Sequence, residues 1–562
     1  MALSIKINHQ EFSCQKGETV LEVARRNKIF IPTLCYHPDF PIKGNCRLCL
    51  VETICNGKRQ VVSSCSAQVE SKMEVLLDTP KIRRLRRTNL ELIFASHVEK
   101  CATCKLRFNC PLLTLVKKYR VKINRFPDRK ITRDNLNFPP AIVNDASQCI
   151  DCRLCLDACN KMQRLNCLQL KGHGTEQMIV PTKNPCTFCG QCVVICPVDA
   201  ISEKPSYPLV KKALADPKKI VVAQFAPSIR AAIGEEFGLE YDKDMTGRTI
   251  AALKKLGFNY VFDVNLGADI TTITEAEEFI ERLENKKAVF PMMTSCCPAW
   301  VRYVETRRPD LIPHLTSARS PHIHLGGVIK THWAKKMNLD PKNIIVVSVM
   351  PCTAKKYEAT RPELKVNGLN PVDHVITTRE FTLMIKEARI NFANLKPGNS
   401  DLIWNNGSGA GVIYGASGGV MESALRSVVW HLEKKKEMQR LEFKEVRGQE
   451  GIKESIIKIG QKKIRLAVVS GLGNIDRALN HLDKYDYVEV MSCPGGCIGG
   501  GGQPAPASNE IRAKRAAALY SIDKIQKIRR AHENKEAMEA INFIKEKGLA
   551  KRVLHTSFKK KK

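Results

Sequence analysis

Twenty-three cysteines, most of them in closely spaced groups, are the residues of this chain best suited to chemistry. Thiolates are soft metal ligands, and C-x-x-C spacing lets two sulfurs of one loop reach a common centre. The first group is Cys35-x10-Cys46-x2-Cys49-x15-Cys65, with Gly44 beside the tight loop. Its four thiolates predict a [2Fe–2S] cluster; a zinc ribbon normally presents two C-x-x-C knuckles, and this group has one. The second is His97-x3-Cys101-x2-Cys104-x5-Cys110, where the histidine stands one helical turn before three cysteines and can complete a four-ligand site. Zinc and a His-ligated [4Fe–4S] cluster both suit that donor set, and the iron–sulfur character of its neighbours favours the cluster.

The third group is an internal repeat: Cys149-x2-Cys152-x2-Cys155-x3-Cys159, then Cys186-x2-Cys189-x2-Cys192-x3-Cys196-Pro197. This is two-cluster bacterial ferredoxin spacing, in which the fourth cysteine of each run ligates the other cluster. The expected ligand sets are Cys149, Cys152, Cys155 and Cys196, and Cys159, Cys186, Cys189 and Cys192. Five more thiols follow at Cys296, Cys297, Cys352, Cys493 and Cys497. A cubane takes four, and adjacent cysteines rarely both ligate one small cluster, so either Cys296 or Cys297 has a different task. Cys14, Cys55 and Cys167 join none of these sets and read as small buried apolar residues.

The elements that must position these thiols follow from patterning. Residues 1–80 form a β-rich unit, with a hairpin over Ser4 to Ile7 and Glu11 to Ser13 and a helix over Thr19 to Asn27. A helix is expected from Ile82 to Phe94. From about residue 211 strands and helices alternate: strand Lys219 to Phe225, helix Thr249 to Leu256, strand Tyr260 to Val264, helix Glu275 to Leu283. Three further strands, Val289 to Met293, Ile344 to Val349 and Tyr487 to Val490, each run into a cysteine-bearing loop. Ligands of open α/β sheets sit at strand carboxyl ends, so the three loops are expected to converge. Gly407 to Gly419 is glycine-rich but lacks P-loop context, which points to close backbone packing around a buried group. The last residues, Ser557 to Lys562, read as solvated and flexible.

The chain is therefore expected to be multidomain, with N-terminal α+β ferredoxin-like iron–sulfur modules followed by an α/β catalytic domain whose active site lies at strand C-terminal ends. The expected units are 1–80 ([2Fe–2S]), 81–130 (His/Cys [4Fe–4S]), 131–210 (two [4Fe–4S]), 211–505 (catalytic) and 506–562 (a helical tail). At 562 residues there is length for several cores. Hydrophobic residues make up 43%, mean hydropathy is −0.23, and no apolar run approaches the ~18 residues needed to span a bilayer. The start alternates like a strand, without the apolar block of a secretory signal or a transit-peptide composition, so a soluble protein without membrane insertion is expected. Clustered cysteines without a signal point to a reducing compartment rather than disulfides. The net charge of +33 admits solvated helix faces, nucleic acid, or steering of an acidic protein. With nearly every cysteine assigned to redox clusters, nucleic acid ranks last.

The three loops, TSCCPAW (294–300), MPCTAKKYE (350–358) and EVMSCPGGCIGG (489–500), resemble the three signatures of iron-only hydrogenases. The upstream layout resembles that of the long clostridial-type members, with one [2Fe–2S] and three [4Fe–4S] accessory clusters. The resemblance spans nearly the whole chain and extends to a small-subunit-like tail. It implies that Cys297, Cys352, Cys493 and Cys497 hold the [4Fe–4S] half of an H-cluster. Cys497 then bridges to a two-iron unit carrying carbon monoxide, cyanide and a dithiolate. It implies that Lys355 hydrogen-bonds a cyanide, as do groups of Pro227 and Ser228, and that Pro321, Met350 and Met491 wall the pocket. Cys296 becomes the proton-carrying thiol, with Glu275, Thr316 and Glu278 as the relay behind it. Thr316 stands where relatives commonly have Ser and keeps the hydroxyl; His322 stands where they often have Gln. The implied activity is reversible reduction of protons to H2, in the evolution direction, with electrons from an acidic ferredoxin. Maturation proteins are implied partners, and an anaerobic cytoplasm, or the hydrogenosome of a eukaryote, the implied location. Cytosolic iron–sulfur assembly proteins and hydrogen sensors share parts of this plan, but are not expected to combine Cys296, Lys355 and a [2Fe–2S] module.

Overall fold

The computed structural model describes residues 3–97, 100–122, 125–126, 135–138, 140–241, 243–399, 401, 407–433, 441–448, 451–459 and 462–561. At the N-terminus, β1 (Leu3–Ile7) and β2 (Gln10–Cys14) form the expected hairpin. The helix Val20–Arg26 begins in a capping box between Thr19 and Glu22. With β3 (Leu50–Cys55), β4 (Lys58–Ser63) and β5 (Glu74–Leu76) these strands make a five-stranded sheet in the order β2-β1-β5-β3-β4. The helix Pro80–Phe94 starts on Thr79, whose hydroxyl accepts the Ile82 amide, with Pro80 where a helix needs no N–H donor. A three-stranded sheet follows from β6 (Asn135–Phe138), β7 (Ile142–Asp145) and the later β10 (Ile201–Glu203). Between its strands lie the ferredoxin-type cysteine runs and the hairpin β8 (Leu168–Lys171) with β9 (Met178–Pro181).

The second half is built on two four-stranded sheets. One is all parallel, β12-β11-β14-β15, from β11 (Ile220–Phe225), β12 (Tyr260–Asp263), β14 (Ile344–Met350) and β15 (His374–Thr377). Its strands read as continuous apolar runs because both faces are covered. The other is mixed, β13-β18-β17-β16, from β13 (Met292–Met293), β16 (Ile452–Ile459), β17 (Lys462–Ser470) and β18 (Tyr487–Met491). The loops after β11, β13, β14 and β18 all leave strand carboxyl ends toward one place.

Three expectations are corrected. The strand at Val289 to Met293 shortens to two residues. The helix expected at Glu275 spans Asn265–Glu284, beginning ten residues earlier. Its first half is buried on every side, so it has no amphipathic stripe to read, and Thr271, Thr272 and Thr274 return their hydroxyls to the carbonyls four residues back. The C-terminal residues are tied down, although Ser557, Lys559 and Lys560 stay exposed and Lys562 lies outside the described residues: Lys559 and Lys561 donate backbone amides to Glu305, and Lys561 Nζ pairs with Glu363 at 3.1 Å. Ahead of them, the helix Asn509–Ile525 is anchored by Asp523, whose carboxylate receives both terminal nitrogens of the fully buried Arg426, at 2.9 and 2.8 Å.

The modules share cores. One apolar cluster joins Cys35, Cys46 and Leu48 to Leu90, Leu112, Leu154 and Ile195. Another joins Cys159, Phe188 and Cys189 to Trp300, Val469 and Val490. The N-terminal cysteine-bearing units are thus fixed on the two-sheet half of the chain by buried apolar surface, the main source of association energy.

Candidate active site

The converging loops enclose an almost wholly apolar cavity. Cys296, Cys297, Cys352, Cys493 and Cys497 line it together with Pro227, Ser228, Pro321, Met350, Met491 and Lys355. Each residue comes from the end of a strand or the start of the helix after it: Cys297 caps Pro298–Arg307 and Pro321 opens Pro321–Val328. Burial raises the thiols of Cys352, Cys493 and Cys497, the last to about 12. The charges acting on Cys493 include those of Cys352, Cys297 and Cys497, a mutual proximity that suits a multi-iron cluster. Cys297 donates to Ser492 Oγ at 3.1 Å. The Ser228 hydroxyl is buried and meets no protein partner among the described residues, as a donor reserved for a bound group would be. The glycine-rich run supplies close packing: a Cβ on Gly418, at φ +85°, would lie 1.9 Å from the Val446 carbonyl, and Tyr414 and Gly415 reach the cavity wall.

Lys355 is held from behind by Glu358, one turn along the helix Ala354–Glu358. Its Nζ donates to Glu358 Oε2 at 2.7 Å and to the Cys296 carbonyl at 3.0 Å. His322 Nε2 lies 2.6 Å from the same carboxylate oxygen, and Ser320 Oγ donates to it at 3.0 Å. Burial would raise Glu358, but the Lys355 charge and the His322 hydrogen bond outweigh it and hold the carboxyl at about 2. Burial and the Lys355 charge lower His322 to about 4, so its ring is neutral at pH 7. The tautomer follows from its partners. Ionised Glu358 only accepts, so Nε2 of the neutral ring carries the proton toward it, and Nδ1 accepts the Ser348 hydroxyl at 3.1 Å.

Of the residues expected to relay protons, Glu275 lies within charge range of both Cys296 and Glu278, and Thr316 is bonded to Glu278. Burial, and then the Glu275 charge, keep the Cys296 thiol well above its ordinary range, higher than an unperturbed thiol. Burial likewise pushes Glu275 up to about 8, against a hydrogen bond from Tyr487 Oη at 2.7 Å. Thr316 Oγ1 donates to Glu278 Oε2 at 2.8 Å, and Ser317 donates to that oxygen through both its amide and its hydroxyl. Arg282 NH2 pairs with Glu278 at 2.6 Å. Glu275 is bonded to Tyr487 rather than to Thr316. Tyr487, Ser492, Glu358 and Ser317 escaped the sequence reading. Only Glu358 left a local signal there, three residues after Lys355 on one helix face.

In the N-terminal unit the thiols stand in two pairs, Cys35 with Cys46 at 3.4 Å and Cys49 with Cys65 at 3.4 Å. One zinc ion would draw all four sulfurs to a point, whereas a two-iron cluster takes two at each iron. His97 is buried and its Nδ1 bonds the Gln148 carbonyl at 2.9 Å, which orients the ring as a ligating histidine requires; burial raises the Cys110 thiol and pushes Cys104 up to about 11, and Cys101 acts on both. The charges acting on Cys155 come first from Cys152, Cys196 and Cys149, the crossed set expected from spacing. Those on Cys192 come first from Cys189 and Cys159, and Cys186 reaches the same corner through Cys167. The Cys493 thiol lies 3.9 Å from the Cys189 carbonyl, so this set abuts the cavity. There the chain backbones touch: a Cβ on Gly190 would sit 2.9 Å from the Gly501 Cα. One small expectation fails, at Cys55, and another, at Cys167, is met in its burial within an apolar cluster. Cys55 is half-buried with its thiol on Glu70 at 3.2 Å. Cys167 is buried but polar in its contacts, bonded to Cys159 and Cys186 and receiving Arg307 NH2 at 3.3 Å.

Comparison with known proteins agrees along the whole chain. The profile of the iron only hydrogenase large subunit, C-terminal domain, matches residues 219–501, and that of the iron hydrogenase small subunit matches 509–561. Profiles of a 2Fe-2S cluster binding domain, an NADH-ubiquinone oxidoreductase-G iron-sulfur binding region and a 4Fe-4S binding domain match 1–80, 86–125 and 180–202. Iron hydrogenase 1 of Clostridium pasteurianum is 38% identical over 99% of this chain and 100% of its own. The NADP-reducing hydrogenase subunit HndD of Solidesulfovibrio fructosivorans is 36% identical over 100% and 99%. A solved structure of the [FeFe]-hydrogenase HydA1 of Chlamydomonas reinhardtii superposes with a TM-score of 0.56 at 37% identity, over 63% of this chain and 98% of that one.

Proposed function

The chain belongs to the iron-only hydrogenases, oxidoreductases acting on molecular hydrogen, and on that premise we propose that it evolves H2 with electrons from an acidic ferredoxin. Five thiols, two methionines and Lys355 around one apolar cavity, with Cys189 against Cys493, carry the reading. In it, Cys35, Cys46, Cys49 and Cys65 hold one [2Fe–2S] cluster. His97, Cys101, Cys104 and Cys110 hold a [4Fe–4S] cluster, and the two crossed sets hold two more. Cys297, Cys352, Cys493 and Cys497 hold the H-cluster, which when bound supplies the redox-active iron at which two protons and two electrons become H2. The raised thiols of Cys352, Cys493 and Cys497 release protons when iron binds.

The chain's own residues do the rest. Lys355, kept charged by Glu358, presents an ammonium to the cavity, and Ser228 offers a hydroxyl. Pro227, Pro321, Met350 and Met491 exclude water, which strengthens every polar contact inside. Glu278, half-buried, accepts protons from solvent with the buried Thr316 hydroxyl bonded to it; Glu275, a carboxylic acid at neutral pH, hands them to Cys296, and Cys296 presents S–H at the cavity. No helix among the described residues is long and apolar enough to cross a membrane. The oxygen-sensitive family chemistry suits a reducing, anaerobic compartment, cytoplasm or hydrogenosome, with dedicated maturation proteins.

Two measurements test this. Cys297→Ser, produced with its maturation proteins, should lose the infrared bands of metal-bound carbon monoxide and cyanide, while the accessory clusters remain in the iron count. Bands of wild-type intensity would remove Cys297 from the ligand set. Raising salt should lower H2 evolution steeply with an acidic ferredoxin as donor, since the Debye length is ~10 Å at 0.1 M, and change it little with a small uncharged mediator. A flat response with ferredoxin would remove the electrostatic argument for that donor.

A further inference from the structure

A wide groove lies in the N-terminal half, lined by none of the residues of the cavity. About 1120 Å³ separates Ile29, Phe30, Pro32 and Leu77 of the first unit from the helix Pro80–Phe94, the chain at 118–122 and Arg125. Eight lysines and arginines line it against two acids, Asp78 and Glu91, and both acids are already engaged. Asp78 pairs with Arg83 at 3.0 Å, and Glu91 with Arg87 and Arg125 at 3.3 and 2.6 Å. Arg86 is buried and structural, donating to the Leu50 carbonyl at 2.6 Å and to Tyr119 Oη at 3.1 Å. Arg84, Arg120 and Lys122 have no acidic partner among the described residues, so the groove carries a net positive field. The lining also holds an exposed apolar patch. Phe30 is 63% exposed, with Lys118 Nζ 4.5 Å from the ring centroid and Pro32 beside it.

We propose that this groove is the docking face for a small acidic electron-carrier protein, and that electrons enter through the thiol set close to it, Cys35, Cys46, Cys49 and Cys65. The proposal rests on the reading that an acidic carrier reduces this chain. An exposed apolar patch among arginines is the anatomy of a protein interface, whereas a phosphate backbone is held by cations without need of an exposed aromatic. The clustered thiols are close to it in the fold: Cys35 and Cys46 share an apolar cluster with Leu90 of the groove's helix, and Arg86 grips the carbonyl of Leu50, next to Cys49. Each encounter oxidises the carrier by one electron and reduces the first cluster by one. Two encounters supply the two electrons that two protons consume in forming H2.

The test uses the full-length matured enzyme and reduced bacterial-type acidic ferredoxin. Arg84→Glu, Arg120→Glu and Lys122→Glu together should raise KM for ferredoxin about ten-fold or more and flatten its salt dependence. Turnover with a small uncharged mediator should stay at the wild-type rate. Reversal of three exposed lysines elsewhere, Lys342→Glu, Lys458→Glu and Lys547→Glu, should leave KM for ferredoxin as it was. Phe30→Ala, which keeps every charge, should raise KM several-fold without changing the salt slope. Ferredoxin turnover in wild type but unchanged KM in the groove variants overturns the docking site and leaves the carrier reading standing. Failure of ferredoxin to reduce the wild type overturns both. Competition by a short DNA duplex as tight as binding of ferredoxin would show a general polyanion face and overturn the proposal.

Discussion

Cys296→Ala is expected to keep the full iron content and the infrared bands of the H-cluster while losing about 10²–10⁴-fold in H2 turnover, the usual reach of a positioned proton-transfer group. The adjacent thiols differ in what surrounds them. Cys297 opens a helix, bonds Ser492 and sits among the three other thiols of its set. Cys296 faces Glu275 on one side and the cavity on the other, and its carbonyl is pinned by Lys355. A thiol held protonated by burial delivers protons without accumulating as thiolate, so removing it breaks the line at its last step and leaves the metal ligands alone. Cys296→Asp should restore part of the rate, because a carboxylate shuttles protons over a similar reach. A Cys296→Ala enzyme that holds its cofactor and turns over at wild-type speed would sink the assignment.

Local signals carried much of this fold. The N-terminal hairpin and the helices Val20–Arg26 and Pro80–Phe94 sit where patterning put them, because those elements are half-buried and their patterns are set by one solvent face. Asn265–Glu284 was shortened because its first half meets protein on all sides. There Gly267 lets the Pro321 carbonyl approach to 2.1 Å from where a Cβ would be, and threonines that read as strand formers are satisfied by their own helix. The tied-down C-terminus was invisible for the opposite reason. A run of lysines reads as solvated until a buried acid such as Glu305 is known to await it.

The site divides in the same way. Metal-ligand cysteines are legible because chain spacing fixes which sulfurs can share a cluster. The groups that tune and feed the site are distant in sequence: Tyr487 reaches Glu275 across 212 residues and Ser492 reaches Cys297 across 195. No spacing rule encodes such pairs. Cys167 shows the limit from the other side, since a cysteine outside every motif stands against two of the expected cluster thiols, where only the fold could bring it.

Glu358→Gln is expected to be the most damaging substitution outside the cysteines. One oxygen of Glu358 gathers Lys355, His322 and Ser320, and the carboxylate is the counter-charge of an ammonium buried beside the cavity. Breaking a buried pair by removing one partner costs about 3–5 kcal/mol, because the remaining charge is left without compensation. The amide keeps the shape but not the charge, so the protein should lose about that much stability at pH 7. The carboxyl is depressed to about 2 from an unfolded value near ~4.3, so its contribution is present above that value and fades as pH falls toward 2. Lys355 should then shed its proton or leave the cavity, lowering H2 turnover by orders of magnitude and shifting the cyanide bands in the infrared. A double-mutant cycle with Lys355→Met isolates the pair. If the reading is right, Glu358→Gln does little further harm to stability once Lys355 is methionine, since no charge remains to be stranded. Additive losses, or a Glu358→Gln enzyme with wild-type melting and bands, would show that Lys355 does not depend on this carboxylate.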